Sequence, residues 1–256
     1  MNKDMPVILT IGGYDPTGGA GISADIRTIS SLECYPISLI SCLTSQNTNQ
    51  FKLLESVNPN LFKDQAESLL SDFKIDLIKI GVLASVEIVK ETKKILESLE
   101  GIKVVVDPVI EASSGGLLAN HPTLEAIKEL IFPDSYLITP NLSEAEVLSN
   151  KKDLDSIIKD PFMLSSNFLL IKDIAYSKDT ITNNLYSKTN LLRSWSVTKE
   201  KGNFHGTGCY LASCISCFLA QSQNIEEAIN LGLQKTMNGI EGSFKTKNSN
   251  RILRPK

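Results

Sequence analysis

Cys209 stands in the stretch Asn203-Phe204-His205-Gly206-Thr207-Gly208-Cys209-Tyr210-Leu211-Ala212, where two glycines flank a threonine. Leu211, Ala212, Ile215, Phe218, Leu219 and Ala220 then recur at helical spacing, which predicts a tight loop feeding a buried helix. The first N–H groups of a helix have no internal partner, and the aligned peptide dipoles make that end partly positive. Glycines let a phosphate reach the backbone, so the loop is a candidate anion cradle. Such an end also lowers the pKa of a cysteine held there and favours the thiolate. Cys209 therefore reads either as a reactive thiol beside a phosphate site or as a small core residue.

Other candidate groups follow apolar runs. Asp107 comes directly after Val104-Val105-Val106, where a carboxylate either caps the next turn or holds a cation. Asn141 and Glu144 are three apart at a helix start, so they share a face. Asn141 or Ser143 as N-cap with Glu144 as a first-turn acid accounts for them structurally. Taken with Asp107, they suit magnesium, which uses few carboxylates and keeps several waters. Lys172 follows another apolar run, where a lysine facing a site anion is expected over a solvated one. The loop from Gly12 to Gly21 holds five glycines, with Asp15 inside it and Asp25 in the turns after it. It fits neither the G-x-x-x-x-G-K-[ST] phosphate loop nor G-x-G-x-x-G, and reads as a substrate-closing loop. His205 either caps the glycine loop or contacts substrate, His121 reads as solvated, and Cys214-x-x-Cys217 reads as core packing.

The elements that must position these groups alternate. Strand-like runs at Val7–Ile11, Ile37–Leu43, Leu77–Ile80, Val104–Val106, Tyr136–Thr139 and Phe168–Ile171 are separated by helical patterns. Those patterns cover Ala20–Leu32, Pro59–Phe73, Ser85–Leu99, Pro122–Ile131, Ser143–Ser149 and Leu154–Ile158. Strands apolar throughout, with helices between them, predict a parallel sheet covered on both faces. Thr180–Tyr186 and Leu191–Thr198 predict a polar antiparallel hairpin at one edge, followed by helices over Gly208–Ala220 and Ile225–Phe244. The tail from Lys245 to Lys256 is polar and basic and predicts a frayed end. Ligands of open α/β sheets bind beyond the carboxyl ends of the strands, where the polar and glycine residues collect here.

A chain of 256 residues with no repeat or linker reads as one domain. Net charge of −3 with both signs scattered shows no footprint for nucleic acid. Five cysteines without paired spacing favour reduced thiols, and the start of the chain lacks a signal-peptide pattern. A run of about 18 apolar residues is also missing, so a cytoplasmic protein without a membrane span is expected.

Together the loops resemble those of hydroxymethylpyrimidine/phosphomethylpyrimidine kinases, members of the ribokinase-like superfamily. Gly12 to Asp25 is similar to GSDPSGGAGIQAD, Thr44 to Thr48 to TAQNT, and Lys79 to Leu83 to KIGML. Val106 to Val109 with Ser114-Gly115 resembles LDPVMVATSG, Thr139 to Ala145 resembles TPNLPEA, and His205 to Cys209 reads HGTGC. The segments occur in family order from near residue 7 to about residue 240.

The resemblance implies a three-layer α/β/α ribokinase-like domain over 1–256, mostly parallel with a small antiparallel edge. It also implies phosphoryl transfer from ATP, with Mg2+, to the hydroxymethyl group of the thiamin pyrimidine and then to its monophosphate. Gln46 would hydrogen-bond the aminopyrimidine, with Gly12, Asp25, Val82 and Val109 on the substrate side. Cys209 would be the catalytic cysteine, and Gly206, Thr207 and Gly208 the anion hole. Lys172 would neutralise phosphate charge, and Asp107, Asn141 and Glu144 would organise magnesium and water. A homodimer or other homo-oligomer is expected, with no nucleic-acid or membrane partner.

Three departures keep pyridoxal kinase activity, or a pyrimidine-binding protein with a degraded ATP site, open. Lys172 is followed by Asp173-Ile174 where the family reads Gly-Gly, the Glu144-to-Lys172 segment is short, and Tyr14 and Val82 replace serine and methionine.

Overall fold

The computed structural model describes residues 5–177 and 179–255, with only the backbone of residue 176. The reading of Met1 to Asp4 as free of a leader lies outside the described residues.

One sheet organises the chain. Its central parallel strands are β1 (Val7–Tyr14), β2 (Tyr35–Gln46), β4 (Leu77–Ile80), β5 (Lys103–Val106), β8 (Leu137–Ile138) and β9 (Phe168–Ser177). Antiparallel strands flank them: β3 (Phe51–Ser56) beside β2, then β10 (Thr180–Ser187) and β11 (Asn190–Thr198) beyond β9. The order is β11-β10-β9-β8-β5-β4-β1-β2-β3. A flap of two short strands, β6 (Glu111–Ala112) and β7 (Gly116–Leu117), stands apart. So does a three-stranded sheet of β12 (Phe204–His205), β14 (Arg251–Ile252) and β13 (Phe244–Lys245).

The period-2 side-chain alternation of strands explains why these runs are apolar throughout. Leu9 and Ile11, Val104 and Val106, and Leu169 and Ile171 enter a core on one face. Ile8, Val105 and Leu170 enter the core on the other. The first core is closed by α2 (Pro59–Asp72), α3 (Val86–Ser98), α4 (His121–Leu130), α5 (Leu142–Ser149) and α6 (Leu154–Ile157). The second is closed by α1 (Gly21–Ser31), α7 (Thr207–Ala220) and α8 (Ile225–Glu241). Cys214 and Cys217 are fully buried in that second core, and all five cysteines are free.

Two expectations fail. Lys245 to Lys256 does not fray through its described part: β13 and β14 pair, and Leu253 is buried against the second core. Strand β9 does not stop at Ile171 but runs to Ser177, because Ile174, Ala175 and Ser177 resume pairing with β10 past a register irregularity at Asp173. No helix of the described residues is long and apolar enough to cross a membrane.

Candidate active site

The loops at the carboxyl ends of β1, β2, β4, β5, β8 and β9 meet the amino end of α7 around a cavity of about 600 Å³. Gly206 caps α7 with φ of 80°, a left-handed conformation that an L side chain rarely adopts. A Cβ there would also strike the carbonyl of Gly19. The first glycine loop therefore lies directly on the second.

Asp15 pins the two together. Its carboxylate accepts from Thr17 N and Oγ1, from Ala20 N at 2.9 Å, and from His205 Nε2 at 2.7 Å. Burial alone would raise the Asp15 pKa, but these donors hold it below the usual carboxylate value. Of the two roles open to His205, loop fastening is the one the structure shows. His121 is exposed.

Lys172 reaches the cavity from β9, buried and 2.9 Å from Asp107 Oδ1, which also accepts from Thr139 Oγ1 at 3.1 Å. Burial opposes charge on both, yet their mutual attraction keeps Lys172 raised and Asp107 lowered. Asp107 Oδ2 is buried without a partner. A Cβ on Gly208 would come within 3.3 Å of Lys172 Nζ and 3.5 Å of Asp107 Oδ2, so this pair abuts the glycine loop.

Asn141 and Glu144 form a capping box on α5. Glu144 N donates to Asn141 Oδ1, and Asn141 N to Glu144 Oε2, each at 2.8 Å. The capping role accounts for Asn141, whose oxygen is committed to fixing Glu144 and not presented as a free ligand. Burial raises the Glu144 carboxyl to about 7, with Asp107 and Asp173 adding to it and Lys172 opposing. Among the described residues no group of three or more His, Cys, Asp or Glu is placed to hold a metal ion.

Cys209 is half-buried behind Gly208, whereas the other four cysteines are buried. The helix end does not make it a thiolate here. Burial pushes the thiol up to about 12; Asp107 and Asp25 add to this, while Lys79 and the Gly21 backbone pull against it. The expectation of a resting thiolate considered only the dipole, and two carboxylates and desolvation outweigh it.

Also lining the cavity, Gln46 Nε2 donates to Thr44 Oγ1 at 2.9 Å, and Thr44 Oγ1 donates to Tyr14 O. Gln46 Oε1 is left buried and unpaired. An orphaned acceptor held by a second hydrogen bond is suited to a ligand N–H. Gly12, Val82 and Val109 line the same cavity, and Ser41 Oγ fixes Val82 through its carbonyl at 2.6 Å.

Asp25 is placed differently from its expected role on the substrate. It is fully buried, and its oxygens accept from Thr10 Oγ1 at 2.7 Å, Lys79 Nζ at 2.9 Å and Ser213 Oγ at 2.8 Å. It supports the cavity floor and offers no free oxygen. Its partner Lys79 was missed by reasoning from chemistry along the sequence. The signal was a lone lysine within Leu77-Ile78-Lys79-Ile80, an otherwise apolar run of strand length. Val197, Met237 and Ile240, also on the cavity wall, carried no such signal.

The arrangement can bind an anion at α7, neutralise it with Lys172, and hold an N–H-bearing ring against Gln46. A family model described as phosphomethylpyrimidine kinase matches residues 15–253. The hydroxymethylpyrimidine/phosphomethylpyrimidine kinase of Salmonella typhimurium is 31% identical over 87% of this chain and 86% of its own. The thiamine biosynthesis bifunctional protein ThiED of Geobacter sulfurreducens is 34% identical over 87% of this chain and 46% of its own. The chain spans about half the length of several curated relatives it matches. The crystal structure of phosphomethylpyrimidine kinase from Clostridium difficile is similar at 31% identity and a TM-score of 0.78, covering 92% of this chain and 99% of that one. A pyridoxal kinase from Staphylococcus aureus, in complex with AMP-PCP and pyridoxal, shares the fold at a TM-score of 0.86 and 24% identity, covering 98% and 93%.

Proposed function

The chain belongs to the phosphomethylpyrimidine kinase family, and from that premise we propose that it phosphorylates an aminopyrimidine alcohol, and then the resulting monophosphate, at the expense of ATP. The observation that carries this reading is one cavity holding Gln46 with its unpaired acceptor, the glycine loop at α7, Lys172 and Cys209.

Gln46 Oε1 accepts the exocyclic amine of the pyrimidine, and Val82 and Val109 pack on the ring. That orientation sets the hydroxymethyl group toward Cys209. The N–H groups of Gly206, Thr207 and Gly208 and the Lys172 ammonium stabilise charge on the transferring phosphoryl group. Such alignment and charge neutralisation supply most of the catalysis in phosphoryl transfer.

Magnesium fits these residues as a water-held ion: Asp107 has one unpartnered buried oxygen, and Glu144 is held nearby by Asn141. When bound, it would neutralise phosphate oxygens. Before substrates bind, Cys209 is a neutral thiol, pushed up to about 12 by burial. Proton removal from the acceptor hydroxyl then belongs to the loaded complex, where the transferring phosphoryl group and magnesium would change the charge around the thiol. Exposed Leu43 and Leu53 beside the β3 edge fit self-association, which sedimentation would test.

The test offers purified protein ATP with hydroxymethylpyrimidine, its monophosphate and pyridoxal in parallel. Turnover of both pyrimidines above that of pyridoxal is expected. Faster turnover of pyridoxal overturns the substrate assignment, and pyrimidine binding without transfer overturns the kinase reading.

A further inference from the structure

The C-terminal segment connects the two halves of the cavity. After α8 the chain forms β13, turns at residues 246–250, and returns as β14. Thr246 N donates to Asn250 O at 2.7 Å, and Ser249 N to Thr246 O at 3.0 Å, which closes that turn on itself. On one side, β14 pairs in parallel with β12, Phe204 beside Arg251 and His205 beside Ile252. Arg251 N donates to Asn203 O at 2.9 Å. The strand that delivers Gly206 to the amino end of α7 is thus braced by the tail.

On the other side, the same turn grips the loop that follows Gln46. Asn250 Nδ2 donates to Thr48 O at 2.5 Å and also to Asn49 Oδ1. The Thr246 and Thr48 hydroxyls are 3.4 Å apart. Asn47 Oδ1 organises that loop from within, accepting from the backbone of Asn49 at 2.8 Å and of Gln50 at 2.9 Å. Thr48 is half-buried and Asn49 exposed at the tip between β2 and β3, so core packing does little to hold this loop. The tail that grips it is itself secured, because Leu253 is buried in the core.

We propose that Asn250 is a positioning residue for the acceptor substrate, fixing the Asn47–Gln50 loop and through it Gln46 relative to the glycine loop at α7. The proposal rests on the aminopyrimidine kinase reading. Gln46 ends β2, paired with Phe51 of β3, and its side chain has one tether, to Thr44, so the hairpin turn that Asn250 grips directly borders the pair that places its free oxygen. Lys172, the residue read as facing the phosphates of ATP, has no hydrogen bond with Asn250 among those of the described residues.

The experiment compares wild type with Asn250→Ala and Asn250→Asp, the second retaining size while losing the donor. KM for hydroxymethylpyrimidine should rise about tenfold in both, the worth of one to two neutral hydrogen bonds. KM for ATP and kcat should stay within about twofold, and Tm should fall by no more than a few degrees. Amide exchange at Asn49 and Gln50 should quicken in both variants. Equal losses in both KM values, or a quickened loop with unchanged pyrimidine KM, overturn the proposal. Full retention of the acceptor KM in Asn250→Asp does the same. Failure of wild type to phosphorylate the pyrimidine instead overturns the kinase reading, which separates the two.

Discussion

Replacing Asp25 with alanine removes three hydrogen bonds at once and leaves the Lys79 ammonium buried without an anion. Both side chains are essentially inaccessible to solvent, at 0% and 1%. Burial by itself would lower the lysine pKa, yet the carboxylates of Asp25 and Asp107 keep it raised, so the lysine is charged in the intact protein. Breaking a buried pair by removing one partner costs about 3–5 kcal/mol, because the other charge is stranded. At about 2–4 °C per kcal/mol for a chain of this length, Tm should fall by roughly 6–20 °C. Replacing both partners, as Asp25→Leu with Lys79→Met, removes the stranded charge and should recover most of that loss. Differential scanning calorimetry of wild type, both singles and the double gives the coupling directly. A single-variant drop below about 3 °C, or a double variant worse than either single, would refute the reasoning. The isosteric Asp25→Asn, measured below its own Tm, should bind the pyrimidine as wild type does, since no Asp25 oxygen is free for it. Weaker binding in that variant would restore the substrate role first expected of Asp25.

Cys209 should react with iodoacetamide at a rate that climbs tenfold per pH unit up to at least pH 9, because its thiol lies near 12; a plateau near pH 7 would mean a resting thiolate. Cys209→Ala should lower kcat by about 10²–10⁴-fold while pyrimidine binding measured by calorimetry stays intact; loss of the fold would return the residue to the core. Asp173 sits at φ of 58° on the cavity wall, so Asp173→Gly should raise Tm by a few degrees and tighten ATP binding, and a lowered Tm would show the carboxylate to be a needed partner. Glu144 binds its proton more tightly folded, near 7, than unfolded, near 4.5, so its contribution to stability is lost as pH rises between those values. Urea melts in chelator at pH 5 and pH 8 should therefore favour Glu144→Gln over wild type more at pH 8, and an equal difference at both would refute this.

The parallel core of the fold was legible because its signals are local: apolar runs of strand length, helix periods between them, and Asn or Ser caps such as Asn58, Ser85 and Asn120. Strand β3 escaped because Phe51–Ser56 alternates weakly and lies at an exposed edge, where little burial shapes the residues. The paired tail escaped for a related reason. Arg251-Ile252 carries two residues of strand pattern, and what orders it is pairing with β12 and burial of Leu253. At the site, residue types foretold that Asp107, Lys172, Cys209 and Gln46 would gather on one sheet edge. They could not tell which oxygens stay free, since Asp25 is consumed by Thr10 and Ser213, partners 15 and 188 residues away. The charge state of Cys209 was hidden likewise, because it depends on carboxylates delivered by other elements.

The fastening of His205 to Asp15 spans 190 residues, and that of Asn250 to Thr48 spans 202. Loop-closure entropy makes such long-range contacts late events in folding. During synthesis, then, the parallel sheet can assemble while the glycine loop still lacks its brace. The segment that carries Arg251 to Leu253 must leave the ribosome before the cavity has both walls. A nascent domain should accordingly acquire its fold before its affinity, and partial unfolding should surrender affinity first.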